Sequence, residues 1–191
     1  IALNARASIY FRQSKPKQAY DDLISSFRIN AFDEQTLYTL SVLYSTAGAH
    51  AQALEFCSAL ENNAFAEGLA SLGRALSFGL KYQSSGDEGD ADNATQNFEH
   101  ARSLMHEFSF EQIQDMYYIW GMFLYDKEDD SKADGVLREY LSYDPDFDGA
   151  FVFLAKVGER LGETNSAHFL YQRAANFSKD NVKAKYGFGR F

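Results

Sequence analysis

Apolar residues in this chain recur three and four positions apart in short runs, and small side chains punctuate the runs at a longer interval. In QALEFCSALE, Gln52 to Glu61, Ala53 is followed by Leu54, Cys57 and Leu60; 34 residues earlier, KQAYDDLISSF places Ala19 ahead of Leu23. Ala19, Ala53, Ala94, Ala133 and Ala167 each have a larger apolar residue four later: Leu23, Cys57, Phe98, Leu137 and Tyr171. Upstream lies a second set, two apolar residues three apart with a small residue next to the second. Leu37, Leu40 and Ser41 form one example, Leu69, Leu72 and Gly73 another, then Tyr117, Trp120 and Gly121, and Phe151, Leu154 and Ala155. Such spacing puts one apolar stripe on each helix and predicts the helices in pairs.

The interval from small slot to alanine sets the period. Ala7 to Ala19, Ser41 to Ala53, Gly121 to Ala133 and Ala155 to Ala167 are all 12 residues, whereas Gly73 to Ala94 is 21. The surplus falls at SSGDEGDAD, residues 84–92, which predicts a longer turn between two helices, and a smaller insertion falls near HEFSF. Ala75 and Phe78 fit the third unit as well as Gly73 does where spacing outranks motif. Two helices with small residues where they cross make a hairpin too small to bury its own stripe, so it must stack on its neighbours.

These residues resemble the tetratricopeptide repeat, whose signature is W-x2-L-G-x2-Y, then A-x3-F, then P. One unit reads Tyr117, Trp120-Gly121, Leu124, Ala133, Leu137, Pro145; another reads Leu37, Leu40-Ser41, Tyr44, Ala53, Cys57, with Phe65 where proline is usual. A third reads Phe151, Leu154-Ala155, Ala167, Tyr171, and the first keeps Leu3, Ala7, Tyr10, Ala19 and Leu23 but has Arg6 in an apolar slot. The resemblance implies an all-α fold, a right-handed α-solenoid of antiparallel helix pairs with about five repeats and the start of a sixth. The repeats are expected at 2–32, 33–66, 67–108 with the insertion at 84–92, 112–146 and 147–180, with a partial one at 181–191. Phe188-Gly189, 34 residues after Leu154-Ala155, marks the sixth; together with a start at Ile1, it predicts a fragment of a longer array.

Charge and composition narrow the partners. Eighteen Lys and Arg against 27 Asp and Glu leave a net charge of −9, which argues against a nucleic-acid platform or an anionic membrane surface. No apolar run approaches the ~18 residues of a membrane span, so no membrane insertion is expected. The compartment stays open, with a cytoplasmic address favoured, and one cysteine excludes an internal disulfide.

Catalytic motifs are not found, and no enzyme, metal or cofactor is expected. His50, His100, His106 and His168 lack metal-ligand spacing, and the acidic run at 87–99 offers no register with both the Gly and the Glu of a calcium loop. Cys57 sits in an apolar slot without a histidine at helical spacing, which reads as core. YDKEDDSKAD reads as the acidic start of a helix, with Asp130 or Ser131 as its cap.

What remains is binding. The first helix of each pair lines the concave face in the repeat family, and its groove slots carry over to Tyr38, Thr39 and Val42, to Tyr118, Met122 and Tyr125, and to Phe153, Lys156 and Glu159. The lining is apolar and aromatic, as suits an extended peptide or an amphipathic helix with apolar anchors. The expected function is a non-catalytic protein-interaction scaffold or adaptor. The alternatives are a regulatory or substrate-recruiting segment of a larger enzyme or secretion or assembly machine, and a self-assembling scaffold using uncapped ends. Family members that hold the C-terminal carboxylates of heat-shock chaperones use Lys or Arg with Asn at set slots, and here Asn4, Ser8 and Thr39 stand without the basic pair. A chaperone-tail peptide ending in acidic residues is therefore expected to show no binding by calorimetry; micromolar affinity would overturn that expectation.

Overall fold

A computed structural model describes residues 2–13, 15–63, 65–143 and 148–177. The expected sixth repeat at 181–191 lies outside the described residues. Among the described residues ten α-helices run in chain order: α1 Ala2–Arg12, α2 Pro16–Ile29, α3 Glu34–Thr46, α4 His50–Glu61, α5 Glu67–Ser85, α6 Glu88–Ser103, α7 Phe110–Asp126, α8 Asp130–Tyr143, α9 Asp148–Arg160 and α10 Thr164–Phe177. No strand occurs among the described residues, and the architecture is an all-α solenoid. The chain divides into two compact units, residues 1–109 with α1 to α6 and residues 110–191 with α7 to α10.

In the first unit the small residues lie where helices cross. A Cβ built on Gly73 would lie 2.7 Å from Ser41 Oγ on α3 and 2.8 Å from Cys57 Sγ on α4, so α5 meets both helices at this glycine. Ala7, Ala19, Leu23 and Leu40 form a neighbouring cluster with no exposed surface, edged by Tyr44, Phe27 and Phe56. A polar knot ties the first three helices together. Asp33 caps α3 through the Thr36 N–H at 2.9 Å and also accepts from the Thr36 hydroxyl at 2.6 Å and the Asn4 amide at 2.7 Å. Burial is the largest single influence on its carboxyl and acts upward. The hydrogen bonds from Thr36 and Asn4 together outweigh it and hold the group below its ordinary value. Arg6, the odd residue in an apolar slot, stays exposed and reaches Asp22 on α2 with two hydrogen bonds of 2.6 Å, replacing an apolar contact by an ion pair.

The surplus at 84–92 is not a loop. α5 has 19 residues against 13 in α3, and α6 has 16 against 12 in α4, so the extra sequence lengthens both arms of the hairpin. Gly86 at φ +70 ends α5, and Asp87 caps α6 by accepting the Gly89 N–H at 2.8 Å. Glu88 and Asp90 occupy the first turn of α6, where carboxylates suit the helix dipole, and Asp90 takes Lys81 Nζ at 2.8 Å. The second insertion becomes a 3-10 turn at Met105–Glu107 that buries Phe108 against Gly68, whose added Cβ would lie 2.6 Å from the ring.

The second unit repeats the crossing rule. A Cβ on Gly121 would fall 2.6 Å from Leu137 Cδ2, joining α7 to α8, while Phe151, Ala155, Ala167 and Tyr171 join α9 to α10. The cap of α8 is Asp129 rather than Asp130 or Ser131, because Asp129 Oδ1 accepts the Lys132 N–H at 3.3 Å. Asp130 is instead drawn to Arg160. The turns after α3 and α9 share one geometry. Ala49 N–H reaches Tyr44 O at 2.8 Å past Gly48 at φ +77, and Glu163 N–H reaches Gly158 O at 2.8 Å past Gly162 at φ +77. The turn before α8 places Glu128 at φ +61, a region costly for a side-chain-bearing residue.

Gly73→Ala is expected to lower stability by about 1–2 kcal/mol in denaturant titration, overpacking outweighing the gain in helix propensity. Glu128→Gly is expected to raise it by roughly 0.5–1 kcal/mol by relieving the left-handed turn.

Candidate functional site

Tyr118, Met122 and Tyr125 stand at i, i+4 and i+7 on α7, and Phe153, Lys156 and Arg160 at i, i+3 and i+7 on α9, so each trio shares a helix face. The two faces meet inside the second unit. Tyr118 meets Phe153 edge-on with ring centroids 5.3 Å apart and planes at 85°, and Tyr125 meets the same ring at 6.2 Å and 76°. Lys156 Nζ lies 4.9 Å from the Phe153 centroid and 5.9 Å from that of Tyr125. Arg160 stacks its guanidinium 3.7 Å from the Tyr125 centroid and donates from Nε to Asp130 Oδ1 at 2.9 Å. Among the described residues no carboxylate pairs with Lys156, and its contacts are the two ring faces.

Four sequence-predicted residues, Tyr118, Tyr125, Phe153 and Lys156, are thus brought into one cluster, and Met122 is half-buried on the same α7 face. Phe153 is 7% exposed and acts as the floor. Arg160 was not anticipated because the groove slots pointed to Glu159. That carboxylate turns the other way and accepts the Tyr171 hydroxyl of α10 at 3.1 Å. No periodic signal marked it, since what holds Arg160 over the ring is Asp130, the first residue of α8 and 30 residues away in sequence.

Tyr38, Thr39 and Val42 lie on α3 in the first unit. Tyr38 is 5% exposed, which leaves little of it for a ligand to touch. Thr39 donates to Gln35 O one turn back at 2.7 Å, and Val42 is half-buried.

One polar chain not foreseen from sequence joins α5 and α6. Ser71 Oγ lies 3.0 Å from His100 Nδ1, and His100 Nε2 lies 3.4 Å from Glu67 Oε1. The residue types match a nucleophile, base and orienting acid. Ser71, however, is 4% exposed in mid-helix, where neighbouring N–H groups are engaged in the helix and offer no donors for an oxyanion. The chain works as a polar clasp between the two helices. Among the described residues no group of three or more His, Cys, Asp or Glu is placed to hold a metal ion, and no helix is long and apolar enough to cross a membrane.

No protein-family model matches the sequence, and no curated protein is detectably similar to it. Solved structures are. A thermophilic TPR protein, TTC0263 of Thermus thermophilus, superposes with a TM-score of 0.84 at 14% identity, over 99% of this chain and 96% of that one. The chain has the tetratricopeptide-repeat fold. A tetratricopeptide repeat protein from Parabacteroides merdae superposes at 0.77 with 16% identity, over 98% of this chain and 68% of that one. YrrB, described as a TPR protein with an unusual peptide-binding site, gives 0.55 at 13% identity, over 97% and 90% of the two chains.

At the repeat crossing, burial pushes the Cys57 thiol from 9.0 up to about 11. The folded chain keeps this proton where the unfolded chain has lost it, so the contribution is complete below about pH 9 and lost as pH rises towards 11. Wild type is expected to lose about 2–3 kcal/mol more than Cys57→Ala between pH 8 and 11, by chemical denaturation at each pH.

Proposed function

We propose that this tetratricopeptide-repeat chain is a non-catalytic scaffold or adaptor that takes a peptide or helix of a partner protein against the first helices of its pairs. The observation that carries this reading is the α7–α9 cluster of Tyr118, Tyr125, Phe153 and Lys156. Its rings and cation are ordered against each other, and the ammonium has no carboxylate among the described residues. Tyr and Met supply contact area with little lost rotamer freedom, and a cation resting on rings adds direction without demanding one fixed geometry. Thr39 and Val42 on α3 extend the same reading to the first unit. The description of YrrB as carrying a peptide-binding site agrees with this use of the fold.

The test is capture of partners from host lysate by the chain and by a Tyr118→Ala/Tyr125→Ala variant of equal helicity. Loss of a partner with the variant is expected. Equal capture by both would remove the function from this face.

A further inference from the structure

A second surface lies in the first unit, at the edge formed by the turns before α3 and α5. The two turns carry one short pattern, Asn-Ala-Phe-x-Glu, at residues 30–34 and 63–67. In each, the asparagine side chain accepts the phenylalanine N–H two residues on at 3.1 Å, Asn30 from Phe32 and Asn63 from Phe65. These Asx turns hold the rings outward, and Phe32 and Phe65 are 80% and 81% exposed. The rings flank a cleft of about 420 Å³ whose apolar floor includes Leu37 and Leu60.

Its charge selects the occupant. The residues lining the cleft include one carboxylate, Glu34, and no cation. Glu34 Oε1 accepts from the Asn63 amide, while Oε2 has no partner among the described residues. Arg74 of α5, the cation at the end of α4, is already paired with Glu61 and does not line the cleft. A carboxylate oxygen in a cleft that two exposed aromatic rings also line is an arrangement that receives a guanidinium, by charge-assisted hydrogen bond and by stacking. A second copy of a chain with net charge −9 would bring mostly like charge to this edge.

The geometry points to a second docking site at the Phe32–Phe65 edge for a partner segment that carries an arginine beside an aliphatic residue. The guanidinium pairs with Glu34 over the rings, and the aliphatic side chain enters the cleft above Leu37 and Leu60. This site goes beyond the α7–α9 face and does not depend on it.

The experiment is an NMR titration of the nitrogen-15-labelled chain with the blocked peptide acetyl-Ser-Leu-Arg-Ser-Gly-amide and with its Leu-Glu counterpart. The arginine peptide is expected to shift the amides of Phe32, Glu34, Leu60 and Asn63, and the glutamate peptide to leave them in place. Glu34→Gln is expected to weaken binding about tenfold. Phe32→Ala/Phe65→Ala is expected to abolish it with helicity unchanged in circular dichroism, since neither ring is core. Tyr118→Ala/Tyr125→Ala is expected to bind the peptide as wild type does, which separates this site from the α7–α9 face. Equal shifts from both peptides, full affinity in Glu34→Gln, or no shift at these amides would overturn the proposal. A concentration-dependent dimer lost in Phe32→Ala/Phe65→Ala would assign the edge to a second copy and overturn it as well.

Discussion

The approach of helix backbones at residues without bulk governs each unit. Where α5 passes α3 and α4, Gly73 has Ser41 and Cys57 within 2.8 Å of the place a Cβ would take. That contact fixes the depth to which Leu40, Leu60 and Leu72 are buried. Burial of each such side chain is worth roughly 1.5–3 kcal/mol, so the larger residues stabilise the stack only because the smaller ones let it close. Cys57 belongs to the same contact. Its thiol fills the slot that Phe98 fills four residues after Ala94, and the enclosure that makes it good core also makes it a poor nucleophile.

An acidic protein has arranged its few cations with care. Arg6, Arg74, Arg138 and Arg160 are each held by a carboxylate from the chain itself. Lys156 is handled differently, resting on the rings of Phe153 and Tyr125. The reverse arrangement occurs on the first unit's edge, where Glu34 lines a cleft together with the exposed rings of Phe32 and Phe65. Both places combine aromatic surface with a charge whose complement is not supplied among the described residues.

The fold was legible in the sequence because helix crossings impose a strict small-residue interval, and that interval survives when the larger positions drift. Ala53, Gly121 and Ala167 could be read directly for this reason. That Tyr118, Met122 and Tyr125 share one face of α7 was legible too, since helical spacing alone decides it. Arg160 was not, because its position depends on Asp130, 30 residues away in sequence, and pairings of that range leave no periodic trace. Nor was the helical character of residues 84–92. Ser, Gly and Asp read as loop formers, yet the Asp87 cap and the Glu88 and Asp90 charges are also what starts a helix. Asn30-Ala31-Phe32 and Asn63-Ala64-Phe65 were visible as letters. Their outward rings follow from a turn geometry that hydrophobic patterning does not register.

The lengthened α5–α6 hairpin has a practical consequence. Its added residues sit beyond the crossing points, at a tip closed by Gly86 and clasped by Lys81 and Asp90. Length can therefore change there without shifting the phase of any packed residue. The tip is a natural socket for foreign sequence: an epitope, a fluorophore-bearing cysteine or a whole reporter domain could be spliced in at Gly86 while the stack beneath keeps its register.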